Sequence, residues 1–228
     1  MQDIRPCICC HNACFNMAHY KGHANAQSFP DTRGMARCAL NPRTMQSKKY
    51  RITPAEHKKK IAVIGGGIGG MESALVCAQR GHSVTVYEKT GALGGVFVAA
   101  AAPSFKEKDR ELLAWYAREL TKYPNITVKL NTPVENPEDL GADEVIVATG
   151  SKAVSLPVPG AEKGIQAVDY LLGRAPVGDK VVIIGGGLTG CEIAYDLYLQ
   201  GKHPTIVEMK NDLIACLLYT SPSPRDPK

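Results

Sequence analysis

The sequence predicts an α/β fold built from two βαβ units that repeat each other. Residues 61–70 read IAVIGGGIGG and residues 181–190 read VVIIGGGLTG, each a β-branched run that ends at once in glycines. Each is followed by an apolar stretch at helical spacing, MESALVCAQRG or CEIAYDLYLQG, and then by a second strand, SVTVYE or PTIVE. Three landmarks keep one offset of 120 positions: Gly65 to Gly185, Gly81 to Gly201 and Glu88 to Glu208. Chance does not hold three landmarks in register.

Each unit carries G-x-G-x-x-G, with Gly65, Gly67 and Gly70 in the first and Gly185, Gly187 and Gly190 in the second. The first glycine permits a tight turn, the second lets the backbone approach a pyrophosphate, and the third lets the helix pack close to the strand. The helix N-terminus then presents unpaired amides and a positive dipole end to the phosphates. Glu88 and Glu208 each lie 23 residues after their unit's first glycine, at the end of the second strand. A carboxylate there accepts hydrogen bonds from an adenosine ribose. Two such fingerprints in register, each with its strand and its acid, define two Rossmann-like dinucleotide-binding units.

Between them, SFKEKDRELLAWYARELTKY places Leu112, Leu113, Tyr116 and Leu120 on one helical face, with Ser104 as the expected N-cap. NITVKL and DLGADEVIVATG are expected to complete a smaller β region, and PVPG and RAPVG to mark crossings between domains. The net charge of +5 is concentrated before residue 61, at Arg33, Arg37, Arg43, Lys48, Lys49, Arg51, Lys58, Lys59 and Lys60. That segment reads as a solvated connector rather than a nucleic-acid patch. No stretch reaches the roughly 18 apolar residues of a membrane span. The N-terminus carries Cys and His where a signal peptide has its apolar region, so the expected location is cytoplasmic, with neither nucleic acid nor membrane as partner.

The residues after Glu88 read KTGALGGVF, and a later strand reads EVIVATG. E-K-x-x-x-L-G-G together with A-T-G resembles the FAD-binding half of the two-dinucleotide, glutathione-reductase-like flavoproteins. The resemblance implies FAD in the first unit, near Gly65, Gly67, Gly70, Glu88, Lys89, Gly94, Gly95, Thr149 and Gly150. It implies a nicotinamide nucleotide in the second unit. Glu208 repels a 2′-phosphate and accepts from a free 2′-hydroxyl, which favours NADH over NADPH. Glu192 matches a family position near the nicotinamide, and fits equally well as a helical surface residue. The redox cysteine pair of disulfide reductases is absent from GGVFVAAAAPSF, and the nicotinamide unit has only Cys191 where thioredoxin-reductase-like enzymes need C-x-x-C. Electrons are expected to go elsewhere.

Residues 7–14, CICCHNAC, supply the destination. Cys7, Cys10 and Cys14 form C-x-x-C-x-x-x-C, and Cys38, in RCALNPRT, is the candidate fourth thiolate. This order of cysteine run, C-A-x-N-P, short linker and FAD unit resembles the 2,4-dienoyl-CoA reductase and 2-enoate reductase family across residues 5–214. The resemblance implies a 4Fe-4S cluster on the four cysteines, relaying electrons from FAD to an FMN in a barrel domain. The 23 residues between Cys14 and Cys38 include His19 and His23, so a zinc site using these or His11 stays open as the alternative. Cys9 is one thiol too many for either, and Cys77 and Cys191 read as packing residues.

The expected organisation is an iron-sulfur segment and basic linker over 1–60, an FAD domain over 61–160 without its returning C-terminal segment, and a truncated NAD(P) domain over 161–215. Met1 reads as an internal or misassigned start. CLLYTSPSPRD resembles a translated sequencing adaptor, so residues 216–228 are set aside as an artefact. The small-molecule substrate is expected to enter through the absent barrel, and no catalytic acid is assigned. The functional expectation is an NADH-dependent flavin and iron-sulfur oxidoreductase acting on an activated C=C bond. The alternative is a non-catalytic ADP- or FAD-binding module.

Overall fold

The computed structural model describes residues 3–10, 14, 36–154 and 156–214, which divide into two units. The first takes in the residues up to Ile8 and Ile52–Ala175; the second takes in Cys9–Arg51 and the residues from Pro176 onward. His11, His19, His23 and the 216–228 tail lie outside the described residues. The division falls inside RAPVG, while PVPG lies within the first unit.

In the first unit the chain runs β1 (Lys60–Ile64), α1 (Ile68–Gln79), β2 (Ser83–Tyr87), α2 (Phe97–Ala100), α3 (Glu107–Thr121), β3 (Ile126–Lys129), β4 (Glu144–Val147) and α4 (Ala167–Leu171). The four strands form one parallel sheet in the order β3-β2-β1-β4. Ile61, Ala62 and Val63 of β1 are all buried, as a central strand covered on both faces requires. Met71, Ala74, Leu75 and Ala78 lie at helical spacing on the buried side of α1. Gly81, at φ +94°, stops that helix in the left-handed conformation, and the His82 amide donates back to the Cys77 carbonyl.

The structure corrects two expectations here. NITVKL and EVIVATG do not make a separate small β region: β3 pairs with β2 and β4 with β1. Extending the existing sheet gives both strands ladder partners for their backbone groups, and α3 provides the long crossover that a parallel neighbour needs. Ser104 does not cap α3, which begins at Glu107 after Lys106 with no side-chain cap. Instead the Arg110 guanidinium donates to the carbonyls of Ala101, Pro103 and Ser104, holding the approach to the helix from the far side. Leu112, Tyr116 and Leu120 are buried as expected, Leu113 is half-buried, and Trp115 joins the buried face.

In the second unit, β5 (Lys180–Ile184), α5 (Leu188–Leu199) and β6 (His203–Val207) repeat the β1, α1, β2 arrangement, with β5 and β6 parallel. Ile193 and Leu197 of α5 are buried, whereas Val182, Ile184 and Val207 of the strands are exposed. Among the described residues no helix is long and apolar enough to cross a membrane.

The two environments predict different costs for trimming a side chain. Leu112 is fully buried, so Leu112→Ala should lower the unfolding free energy by about 2–5 kcal/mol. Val182→Thr, on a side chain 66% exposed, should change it by less than about 0.5 kcal/mol. Urea titration followed by Trp115 fluorescence for the first and by far-UV circular dichroism for the second checks both values.

Candidate dinucleotide sites

Both sites begin with a glycine whose conformation only glycine adopts readily. Gly65 and Gly185 have φ of +107° and +108°, and their amides donate to the carbonyls of Tyr87 and Val207. The turn lets α1 and α5 start at once above the strand ends. It is also crowded, since a Cβ on Gly65 would lie 2.3 Å from the Ala148 carbonyl oxygen, where the A-T-G strand arrives. The third glycine serves a close approach: a Cβ on Gly70 or Gly190 would come within 1.9 Å of the Gly65 or Gly185 carbonyl oxygen.

The second glycine has no such reason within the protein. Gly67 and Gly187 have ordinary φ of −71° and −70° as N-caps of α1 and α5. A Cβ on Gly67 would meet nothing closer than 4.0 Å, and one on Gly187 nothing within 4 Å. Neither backbone strain nor packing demands glycine there. What the missing Cβ leaves is bare backbone at a helix N-terminus, the surface a pyrophosphate needs. The two sites therefore fit dinucleotides by this structure's own geometry.

The acids close each site in the same way. Glu88 is buried; its Oε2 accepts the Gly66 amide at 2.7 Å and its Oε1 accepts both the amide and the hydroxyl of Thr90 at 2.8 Å. Glu208 is half-buried and accepts the Gly186 amide at 2.6 Å and the Lys210 amide at 2.9 Å. Burial pushes the Glu88 carboxyl up, but the amides of Thr90 and Gly66 and the Thr90 hydroxyl outweigh it and hold the group below its usual range. At Glu208 the Lys210 and Gly186 amides lower the carboxyl against a weaker effect of burial. Both are carboxylates at neutral pH, each with lone pairs left for a ribose hydroxyl.

The L-G-G loop lies against the first turn. The Gly94 amide donates to the Gly66 carbonyl at 2.8 Å, Gly67 and Gly94 form a parallel bridge, and a Cβ on Gly95 would lie 3.2 Å from the Gly67 Cα. Thr149 and Gly150 are exposed just beyond β4, next to Ala148 and hence to the turn. The structure thus gathers Gly65, Gly67, Gly70, Glu88, Gly94, Gly95, Thr149 and Gly150 at one end of the sheet. Lys89 is exposed beside them, and Glu192 is half-buried on α5, two residues past Gly190.

Sequence reasoning missed two leucines that lie against the turns. Leu93, half-buried, and Leu213, exposed, lie against their glycine turns, so that a Cβ on Gly66 or Gly186 would come within 2.6 or 2.4 Å of a leucine methyl. The signal was available, because the two leucines keep the 120-position offset, and so do Gly94 and Ile214, whose amides donate to the Gly66 and Gly186 carbonyls.

The cysteines present a different picture. Cys10 and Cys38 are half-buried, and Cys7, Cys9 and Cys14 are exposed. Cys38 Sγ accepts the Leu40 amide at 3.4 Å, the kind of N–H···S bond that stabilises a thiolate ligand. The donor chemistry fits a thiolate-bound iron-sulfur group. As arranged, no three His, Cys, Asp or Glu side chains among the described residues form a metal cage. Burial pushes the Cys77 thiol up, and burial with the Glu208 charge does the same at Cys191, so both suit packing rather than reaction.

Comparison with known proteins identifies the family. Residues 59–218 match the pyridine nucleotide-disulphide oxidoreductase family. The chain is 44% identical over 213 residues to cinnamate reductase of Clostridium sporogenes, spanning 92% of this chain and 30% of that protein. It is 37% identical over 220 residues to NADH oxidase of Thermoanaerobacter brockii, spanning 92% of this chain and 32% of the relative. Among solved structures, 2-naphthoyl-CoA reductase in complex with 2-naphthoyl-CoA superposes with a TM-score of 0.82 at 30% identity, covering 94% of this chain and 31% of that one. The chain therefore spans about a third of the length of these relatives.

The glycine geometry predicts a separation of effects. Gly67→Ala should leave the unfolding midpoint within about 2 °C of wild type, because the new methyl meets nothing. It should weaken FAD binding at least roughly tenfold, about 1.4 kcal/mol. Gly70→Ala should lose both stability and flavin. Thermal melts paired with flavin titrations read the two effects separately.

Proposed function

The chain belongs to the pyridine nucleotide-disulphide oxidoreductase family, and we propose that it is the dinucleotide-binding part of an oxidoreductase that takes hydride from NADH and reduces a conjugated C=C bond. FAD binds the first unit at Gly65, Gly67, Gly70, Glu88, Lys89, Gly94, Gly95, Thr149 and Gly150. The nicotinamide nucleotide binds the second at Gly185, Gly187, Gly190, Glu192 and Glu208. The observation that carries the reading is the pair of matched sites, each with a bare glycine at a helix N-terminus and a carboxylate tied to the adjacent turn. One dinucleotide site alone supports binding; two support transfer between a nicotinamide and a flavin.

The acceptor is a double bond activated by a carboxyl group or its thioester, as in an enoate or enoyl-CoA. The names of the relatives, cinnamate reductase and 2-naphthoyl-CoA reductase, support that class. Cys7, Cys10, Cys14 and Cys38 hold a 4Fe-4S cluster, which when bound supplies one-electron transfer from FAD towards an FMN carried in a part of the enzyme outside this sequence. The support is the donor set and its spacing, together with the amide bonded to Cys38 Sγ. Cys9 is not a ligand.

Anaerobic addition of NADH to the FAD-loaded full-length enzyme should bleach the flavin; a flavin that stays oxidised contradicts hydride entry. Removing the ribose acceptor with Glu208→Ala should weaken NADH by about 1–3 kcal/mol, roughly 5- to 150-fold, and NADPH by less. A wild type that prefers NADPH overturns the assignment of Glu208. For the cysteines, reconstitution with ferrous iron and sulfide should give about four irons per chain and broad visible absorption, lost in each single Ala variant of Cys7, Cys10, Cys14 and Cys38 but kept in Cys9→Ala. Stoichiometric zinc with no visible band is the contrary result.

A further inference from the structure

The segment that leads into the cysteine run is anchored to the first unit by a cluster that dinucleotide binding does not explain. The Arg5 guanidinium forks onto Glu72, with Nη2 to Oε2 at 2.8 Å and Nη1 to Oε1 at 3.3 Å. Its face lies 4.5 Å from the Trp115 ring centroid and 5.4 Å from that of Tyr116, and the two rings meet edge to face at 5.0 Å. The Tyr116 hydroxyl donates to the same Glu72 Oε2 at 2.9 Å. Burial, and then the Glu72 charge, pushes that hydroxyl far up, so it remains a donor at any physiological pH. Two residues earlier, the Asp3 carbonyl accepts the Trp115 indole N–H at 3.3 Å, and the Asp3 carboxylate pairs with Lys122 at 2.5 Å.

This is more than a surface ion pair. The guanidinium is held on two sides at once, by a bidentate carboxylate and by aromatic faces, a combination that lysine does not reproduce. Its place in the fold is also specific. Glu72 is four residues into α1 from Ile68, about 6 Å along the helix from the end that faces the pyrophosphate site. Cys7 is two residues from Arg5, a stretch that spans at most about 7 Å. The anchor therefore holds the first thiol of the set close to the flavin-binding helix.

We propose that Arg5 is a positioning residue: clamped between Glu72 and the Trp115–Tyr116 pair, it fixes the segment bearing Cys7 to the flavin-binding unit and so presets one ligand of the iron-sulfur group. The inference rests on the reading of the cysteines as cluster ligands.

Trp115 is the only tryptophan in the chain and is 6% exposed, so it reports the clamp directly. The test uses the full chain, reconstituted anaerobically with ferrous iron and sulfide, and reads Trp115 emission, acrylamide quenching, bound iron and retained FAD. Arg5→Ala should shift the emission to the red and make Trp115 accessible to acrylamide. It should also lower iron affinity roughly tenfold, the effect expected when a group that orients a ligand is lost. FAD retention should not change. Arg5→Lys, which keeps the charge without the fork, should fall between Arg5→Ala and wild type. Glu144→Gln, which breaks an exposed pair with Lys59 elsewhere on the unit, should match wild type in every readout. Unchanged quenching in Arg5→Ala overturns the clamp. Changed quenching with wild-type iron loading overturns the positioning role alone. A wild type that takes up no iron overturns the cluster reading, and the positioning role with it.

Discussion

In each unit one carboxylate ties the glycine turn to the end of the second strand, and the nucleotide site depends on that tie. The Glu88 and Glu208 carboxylates accept the amides of Gly66 and Gly186, residues that sit between the strand and the helix N-terminus. A charge-assisted bond here stiffens a turn whose first glycine is already in the left-handed region and whose third is in contact with the first. Leu93, half-buried, and Leu213, exposed, stand against the same glycines. With the turn held, the helix N-terminus and the carboxylate keep fixed places, where a pyrophosphate and a ribose would meet them. A site arranged before its ligand arrives loses less free energy to ordering on binding.

The two sites are alike in the tie and differ in what surrounds it. Around the first, Gly94 and Gly95 lie flat against Gly67, and the A-T-G strand end closes on Gly65, which lines a longer site than a turn and one acid could make. At the second, Ile214 stands in the place of Gly94, at a positive φ of 49°, and the neighbouring Met209 is exposed. The first site thus has more glycine-lined surface than the second, while both keep a carboxylate tied to the turn. The longer glycine-lined surface supports the proposed place of FAD in the first unit.

Much of this was legible in the sequence, because a βαβ nucleotide site is specified locally. Residue type and spacing alone located the glycines, the acids, the helix stop at Gly81 and the buried stripe of α3. What was not legible depended on long-range pairing. The placement of β3 and β4 on opposite edges of one sheet follows from strand register and the α3 crossover, and a short strand such as ITVK carries no mark of its neighbour. Ser104 looked like a cap because a serine preceded a helical pattern; the helix starts three residues later, at Glu107, and the Ser104 carbonyl is one of three that accept from Arg110. Arg5 gave no signal at all, since its partners lie 67 and about 110 residues away and only the fold brings them together.

The most direct test of the carboxylate tie is a carbon-detected NMR titration of the ligand-free chain with glutamate side chains labelled, Glu88 and Glu208 being assigned by Gln substitution. Both carboxyls should titrate below the usual value of about 4.3 for glutamate, because the turn amides favour the charged form. Lowering the pH through those values should protonate the groups and release the Gly66 and Gly186 amides, seen as a coincident shift of their amide resonances. Titration at or above the usual value, with glycine amides that ignore it, would contradict the account.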